Sequence, residues 1–411
     1  MNAKEKERLR TLAKKQLELA NSPINLARVE DWKRHNAGKR GRPIVHVEID
    51  TFEQEVILPV LECQDATARQ LETDLLRNFI NFELFDDDWV VAPYFGVQWK
   101  TDFHLFGYNI TRTTATDVNG HTLGHHFNHV LADLEDDFEK LGKSTWSVDY
   151  EATESYRSAA EDAFGDILPV RMVMSSPEAV PTQKVVHLMG MENMFFNMTD
   201  YPDLFSQMMQ RIADDYVAYH HFLQDNGLLC STTGFELLKQ GSKCFTDCLP
   251  EKSHPNLNEI WGFMDSQETV SISPQMYKDL IFPCYRQIAA EFGLLSYGCC
   301  EPVSAVWQFV KTLPNLRKVS VSPWCDQKMM GSELKNTNII FHRKPSPNFL
   351  GVDEVLDEAA VRAHIRETLD AAAGCVVEFT QRDVYTVHNN PTKVRRYVEI
   401  IREQCEKYYQ P

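Results

Sequence analysis

Nowhere does this chain string together the roughly 20 apolar residues that a helix needs to cross a bilayer. Its opening stretch, MNAKEKERLRTLAKKQLELA, is charged throughout and lacks the apolar segment of a secretory signal. Both absences point to a cytoplasmic protein. Basic residues are in deficit: 42 Lys and Arg face 59 Asp and Glu, a formal net charge of −17. A phosphate backbone wants a basic footprint, so nucleic acid is a poor partner. A small molecule, or a less acidic protein, suits the charge better. No G-x-G-x-x-G follows an early strand pattern and no G-x-x-x-x-G-K-[ST] occurs, which removes two common nucleotide-binding turns. Internal repeats, low-complexity tracts and long linkers are also missing. In the cytoplasm the ten cysteines read as free thiols, core residues or metal ligands rather than a disulfide framework. Cys244-x-x-x-Cys248 lacks the further cysteine of an iron–sulfur run.

What is present is ordinary globular material, 43% hydrophobic over 411 residues, with ample length for a large core. Residues 3–20 carry Leu9, Leu12, Ala13 and Leu17 near helical spacing, and a second helix is expected from Leu26 to His35. Gly38-Lys39-Arg40-Gly41-Arg42-Pro43 then breaks the chain before Ile44–Ile49. Strands are expected at Trp89–Ala92, Val185–Leu188, Glu259–Met264, Gly293–Ser296, Lys318–Val321, Ile339–Arg343 and Cys375–Phe379. Helical patterns at Tyr201–Asn226, Pro274–Phe292, Val303–Leu313, Val352–Ala372 and Pro391–Tyr408 fill the gaps. Such alternation implies parallel strands with crossover helices. The expected architecture is α/β: an N-terminal helical extension over residues 1–41, then a (β/α)8 TIM barrel over residues 42–411. Chemistry in such barrels sits on the loops at the carboxyl ends of the strands.

That rule selects a short set of residues. Leu294-Leu295-Ser296-Tyr297-Gly298-Cys299-Cys300-Glu301-Pro302 runs a strand into two thiols and a carboxylate. A thiolate there can be a metal ligand or a nucleophile, or the pair can be small buried residues at a tight turn. Ser322-Pro323-Trp324-Cys325-Asp326 ends the next strand. Trp324 would wall a ring-shaped ligand or cap the core, Asp326 would orient a ligand or accept a hydrogen bond, and Cys325 is a third thiol. In Cys375–Asp383, Glu378 sits in an apolar strand, costly unless it ligates a metal or pairs with a cation such as Arg382 or Lys344. Asp265 follows another strand, as a substrate-facing carboxylate or a loop cap. His125, His126 and His129 read as decoration of a surface loop.

Several segments, in order, resemble the uroporphyrinogen decarboxylase superfamily and its corrinoid-dependent methyltransferases. They are Val185–Glu192 with Tyr201-Pro202-Asp203-Leu204, Met264-Asp265-Ser266 through Ser273-Pro274-Gln275-Met276-Tyr277 and Phe282-Pro283, Arg343–Pro347, and Asn390-Pro391. The resemblance implies zinc, held in such methyltransferases by a His-x-Cys after the fifth strand and a later ligand near the last strand. Here the matching positions read Tyr297-Gly298-Cys299. The implied set is therefore Cys299 and Glu378, with Cys300 or Glu301 third and Asp383 in reserve. Asp265 or Tyr297 would act as the acid, with Trp324 and Asp326 touching substrate. The implied reaction moves a methyl group between a small methylated substrate, best a methoxylated aromatic undergoing O-demethylation, and cobalamin on a separate corrinoid protein. The resemblance also allows a homodimer. Two rivals stand: a uroporphyrinogen-type decarboxylase, for which the N-terminal Arg-rich pattern is missing, and a non-catalytic tetrapyrrole or corrin carrier.

Overall fold

In the computed structural model, which describes residues 1–116 and 122–409, seven parallel strands form one sheet. They are β1 (Ile44–Val47), β2 (Glu178–Ala179), β3 (Trp261–Met264), β4 (Leu294–Tyr297), β5 (Leu316–Val321), β6 (Ile340–Arg343) and β7 (Val376–Gln381). Their spatial order is β1-β7-β6-β5-β4-β3-β2. Each strand from β2 onward lies beside the next in sequence, and β7 returns to pair with β1 from Ile44↔Glu378 to Val47↔Gln381. That cyclic order suits a barrel, but the ladder is an arc rather than a closed ring of eight. Phe95–Val97 and Val170–Met172 form a separate parallel pair, and two antiparallel pairs stand apart from the sheet.

The buried strand residues explain the parallel arrangement. β3, β4 and β6 are buried at every position, as expected of strands covered on both faces. Two expected strands are not strands. Val185–Leu188 lies inside the helix Pro181–Asp200, which Pro181 opens and whose Val185, Leu188 and Met189 face inward. A short apolar run cannot by itself distinguish a buried helix segment from a strand. Trp89–Ala92 is irregular, because Asp87 and Asp88 turn their carboxylates onto backbone N–H groups of Val47 and Val45 beside it. Tyr201-Pro202 does start a long helix, Pro202–Asp225, and Pro391–Tyr408 is helical over its whole expected length.

Helices Ala3–Ala20 and Pro23–Asn36 precede β1. Asn2 and Glu5 make a capping box on the first, and Ser22 with Pro23 opens the second. The second helix sends polar side chains into the amino-terminal end of the strands. Trp32 Nε1 donates to Asp88 O at 2.8 Å, and Arg317, at the start of β5, donates to Asn36 O at 2.8 Å. His35 reaches Glu378 at 2.9 Å. No helix among the described residues is long and apolar enough to cross a membrane.

Glu378 is fully buried and pairs with Lys318 and His35, with His342 at 3.5 Å. Burial works to raise its pKa, but His342, Lys318 and His35 outweigh it and hold the carboxyl well below its usual range. Its partner is thus Lys318 rather than Arg382 or Lys344. Removing one member of a buried pair typically costs about 3–5 kcal/mol, because the other charge is left uncompensated. Glu378→Gln is expected to lose that much in urea unfolding. The double variant Glu378→Met with Lys318→Met should recover most of it. Because folding depresses this pKa, the contribution is present above the ordinary carboxylate range and is lost as pH falls through the folded value. A loss below about 1 kcal/mol, the range of exposed pairs, would show that the pair does not hold the interior.

Candidate active site

A cavity of about 540 Å³ opens where the strands end. Almost every strand contributes to it: Val180 after β2, Asp265 after β3, Cys299 and Cys300 after β4, Trp324 after β5, Lys344 after β6, and Arg382 and Asp383 after β7. Gln240 enters from the long connection before β3. The volume suits a single ring-sized ligand.

The turn after β4 is built around Gly298, whose φ of 97° favours glycine and where a Cβ would meet Ser320 Cβ at 3.1 Å. Glu301 then braces it. One carboxylate oxygen accepts from Cys299 N at 2.7 Å and the other from Ser266 N at 3.0 Å, tying the β3 and β4 loops together. Ser320 Oγ adds a bond to Cys299 O at 2.7 Å. The Cys299 thiol, 6% exposed, is left facing the cavity. Its Sγ lies 3.6 Å from Cys300 Sγ and accepts from Arg382 Nη1 at 3.2 Å. The hydrogen bond from the Cys300 thiol, with help from Lys344 and Arg382, outweighs burial and holds Cys299 down to about 7. The same pairing pushes Cys300 far up. Of the two thiols, then, Cys299 is the one that ionises near neutrality.

Across the cavity Asp265 behaves oppositely. Burial, then the nearby charges of Glu301 and Cys299, raise its carboxyl well above the usual range, and its Oδ1 has no hydrogen-bond partner. A carboxyl pushed toward its protonated form and a thiol pushed toward its ionised form are the kind of divided environment that marks acid and base roles.

The remaining expected residues fall elsewhere. Tyr297 is fully buried with its hydroxyl 2.6 Å from Ser266 Oγ and 2.7 Å from Tyr277 OH. It does not line the cavity, and burial pushes its phenol up. Asp326 is exposed and caps the helix Gln327–Leu334, accepting from Lys328 N and Met329 N. Cys325 is buried away from the cavity. Trp324 does line the mouth, 77% exposed rather than packed on the core. The side chain of His125 lies outside the described residues, while His126 and His129 sit ring to ring at 5.2 Å, away from this cavity. Gln240, Lys344 and Arg382 were not legible as site residues: the first has no motif, and the cations read as ion-pair partners.

Zinc in a catalytic site takes three protein donors and keeps one position open. Glu378 is spent on Lys318 and Glu301 on two backbone N–H groups. Cys299, Cys300 and Asp383 remain, strung out with Asp383 Oδ2 3.4 Å from Cys300 Sγ. Among the described residues no three His, Cys, Asp or Glu side chains converge to hold an ion. Arg382 occupies the flank of the Cys299 sulfur that a metal would need, with Lys344 nearby. The residues present therefore do not fit resident zinc.

Two outcomes are expected. Alkylation of Cys299 by iodoacetamide, followed by peptide mass spectrometry, should rise through a midpoint near pH 7, as the thiolate forms. Lys344→Met should move that midpoint upward, because removing a cation disfavours the thiolate; an unmoved midpoint would remove Lys344 from the account. Zinc analysis should return well under one equivalent per chain, unchanged by Cys299→Ser.

No protein-family model matches the chain, and no curated protein matches it by sequence. Solved structures do. A methyltransferase from Methanosarcina mazei aligns at a TM-score of 0.50 and 12% identity, covering 92% of this chain and 97% of that one. A B12-independent methionine synthase from Shewanella sp., in complex with selenomethionine, aligns at a TM-score of 0.26 and 9% identity over 72% of this chain and 75% of the other. The second likeness is too loose to carry an argument. The first shows a fold shared with that Methanosarcina mazei protein.

Proposed function

We propose that the chain is a methyltransferase that works in the cavity at the strand ends, with Cys299 as nucleophile and Asp265 as acid. The observation that carries the reading is that one ring-sized cavity is lined both by the Cys299 thiol, which accepts from Arg382 and is lowered to about 7, and by Asp265, buried with an unpartnered Oδ1 and raised above the usual carboxyl range. The substrate is a methoxylated aromatic, which Phe263 and the exposed Trp324 would flank.

In the first half-reaction the Cys299 sulfur attacks the methyl carbon. An S–CH3 bond forms as the O–CH3 bond breaks, and the electron pair of that bond leaves on the phenolate oxygen. Asp265 gives its proton to that oxygen, so a neutral phenol departs and Asp265 is left as a carboxylate. The methyl group then leaves Cys299 for an acceptor, regenerating the thiolate. The acceptor we propose is a corrinoid on a separate protein, docked at the mouth beside Trp324 and Tyr385, which are 77% and 74% exposed. Bound there, a reduced corrinoid would supply a nucleophilic cobalt. The cavity floor meanwhile keeps the thiolate charged and the acid protonated, and the Glu301 brace holds the two loops that carry them.

The test is a single-turnover incubation with methoxylated aromatics, and with methylamines and methyl thioethers as comparison donors, read by peptide mass spectrometry. A mass gain of one CH2 on Cys299 is expected with the aryl ether. It should be absent in Cys299→Ser and slowed by about 10²–10⁴-fold in Asp265→Asn, the usual contribution of a positioned acid. A folded Cys299→Ser that demethylates at the wild-type rate would sink the proposal.

A further inference from the structure

Gln240 is held on two cations at once. Its Oε1 accepts from Lys344 Nζ at 2.5 Å and also from Arg382 Nη1. Arg382 has carboxylates of its own, Glu48 at 2.9 Å and Asp383 at 3.5 Å. Lys344 has none: it is 2% exposed, and among the described residues it forms no ion pair, its other contact being Cys299 O at 3.5 Å. Apart from the Cys299 thiolate it faces, this buried ammonium has no carboxylate to pair with, which in a chain with net charge −17 is not forced by any shortage of acidic residues.

The backbone that delivers Gln240 is strained. Lys239, Gln240 and Gly241 stand in succession at φ 61°, 51° and 75°. For the two side-chain-bearing residues that region is disfavoured, because the Cβ crowds the neighbouring carbonyl oxygen. Gly241 is pinned there, since a Cβ would lie 2.8 Å from the His46 ring. Strain of this kind persists where the surroundings over-determine it, and it gathers at ligand sites. Its effect here is to set a neutral amide oxygen on two cationic donors, where an anionic oxygen would accept the same two bonds with its own charge opposite theirs.

We infer that Lys344 and Arg382 form an anion subsite, with Gln240 Oε1 as its occupant in the unliganded chain, and that the substrate's carboxylate displaces it. The substrate class is then a methylated aromatic acid, its ring against Phe263 and Trp324 and its carboxylate on Lys344. This rests on the methyl-transfer reading for the word methylated, but not for the subsite.

Calorimetry on the purified chain, using a methoxybenzoate, the matching methoxybenzyl alcohol and plain benzoate, separates the two. Both carboxylates are expected to bind about tenfold or more tighter than the alcohol, the effect of one good charge-assisted contact. Lys344→Met should abolish the preference, Lys344→Arg should keep it, and Gln240→Ala should keep or strengthen it by removing the competing oxygen. Circular dichroism establishes that each variant is folded, and the last two keep the test open should Lys344→Met fail to fold. Equal affinity for acid and alcohol, or no binding of either carboxylate, overturns the subsite, even if the alcohol's ether methylates Cys299. Tight, Lys344-dependent benzoate binding with no methyl on Cys299 leaves the subsite standing and overturns the methyl-transfer reading instead.

Discussion

Parallel strands that neighbour one another in chain order all end on the same side, and in this chain that constraint delivers six strand ends to one cavity. Nothing local to Cys299, Asp265 or Lys344 would bring the three together, because they lie on different strands. What each loop must add is a means of holding its residue still. Glu301 is the clearest case, since a single carboxylate serves backbone donors from both the β3 and β4 loops. The loops that carry Asp265 and Cys299 are thereby fixed relative to one another by a residue that faces neither the cavity nor solvent.

Buried charge is arranged at two levels of the strands, and the levels differ in kind. Near the amino-terminal ends Glu378 meets Lys318, His35 and His342, a set supplied by β5, β6, β7 and the helix Pro23–Asn36. Its positive and negative members answer each other, so it serves the fold. At the carboxyl ends Lys344 meets, among the described residues, an amide oxygen, a carbonyl and a thiol held to about 7, and no carboxylate. A charge left open in this way is poorly explained by stability, since an apolar side chain in its place would cost less. It is better explained by a partner that arrives.

The legible part of this architecture is the part written in periodicity and termini. Pro202, Pro274 and Pro391 open helices where a proline is tolerated, and the apolar runs ending at Met264, Tyr297, Val321 and Arg343 are strands because they are short and buried on both faces. From the strand ends followed Asp265, Cys299, Cys300 and Trp324, all of which the fold places on the cavity. Val185–Leu188 misleads because a buried helix face and a buried strand look alike over four residues. Glu378 misleads for a different reason: a carboxylate in an apolar strand announces that it has a partner, not which one, and Lys318 lies 60 residues away. Gln240 carried no signal, since its importance comes from backbone angles that no residue type there demands.

The contrast between a metal-held and a cation-held thiolate bears on what Cys299 can do. A metal takes up sulfur lone pairs in bonds, whereas the Cys300 thiol, with Lys344 and Arg382, lowers the cost of the charge and leaves the sulfur able to form a new bond to carbon. Thiolate reactivity is a compromise, because a lower pKa enlarges the ionised fraction while weakening each thiolate as a nucleophile, and the best attacking thiol ionises near the ambient pH. Cys299, held to about 7, sits at that balance. The same cations would also draw in a substrate carboxylate. An anion bound there would push the thiol's ionisation back up, leaving Arg382 and the Cys300 thiol to hold the thiolate. Binding and reactivity then depend on the geometry of two cations rather than on the coordination number of a metal.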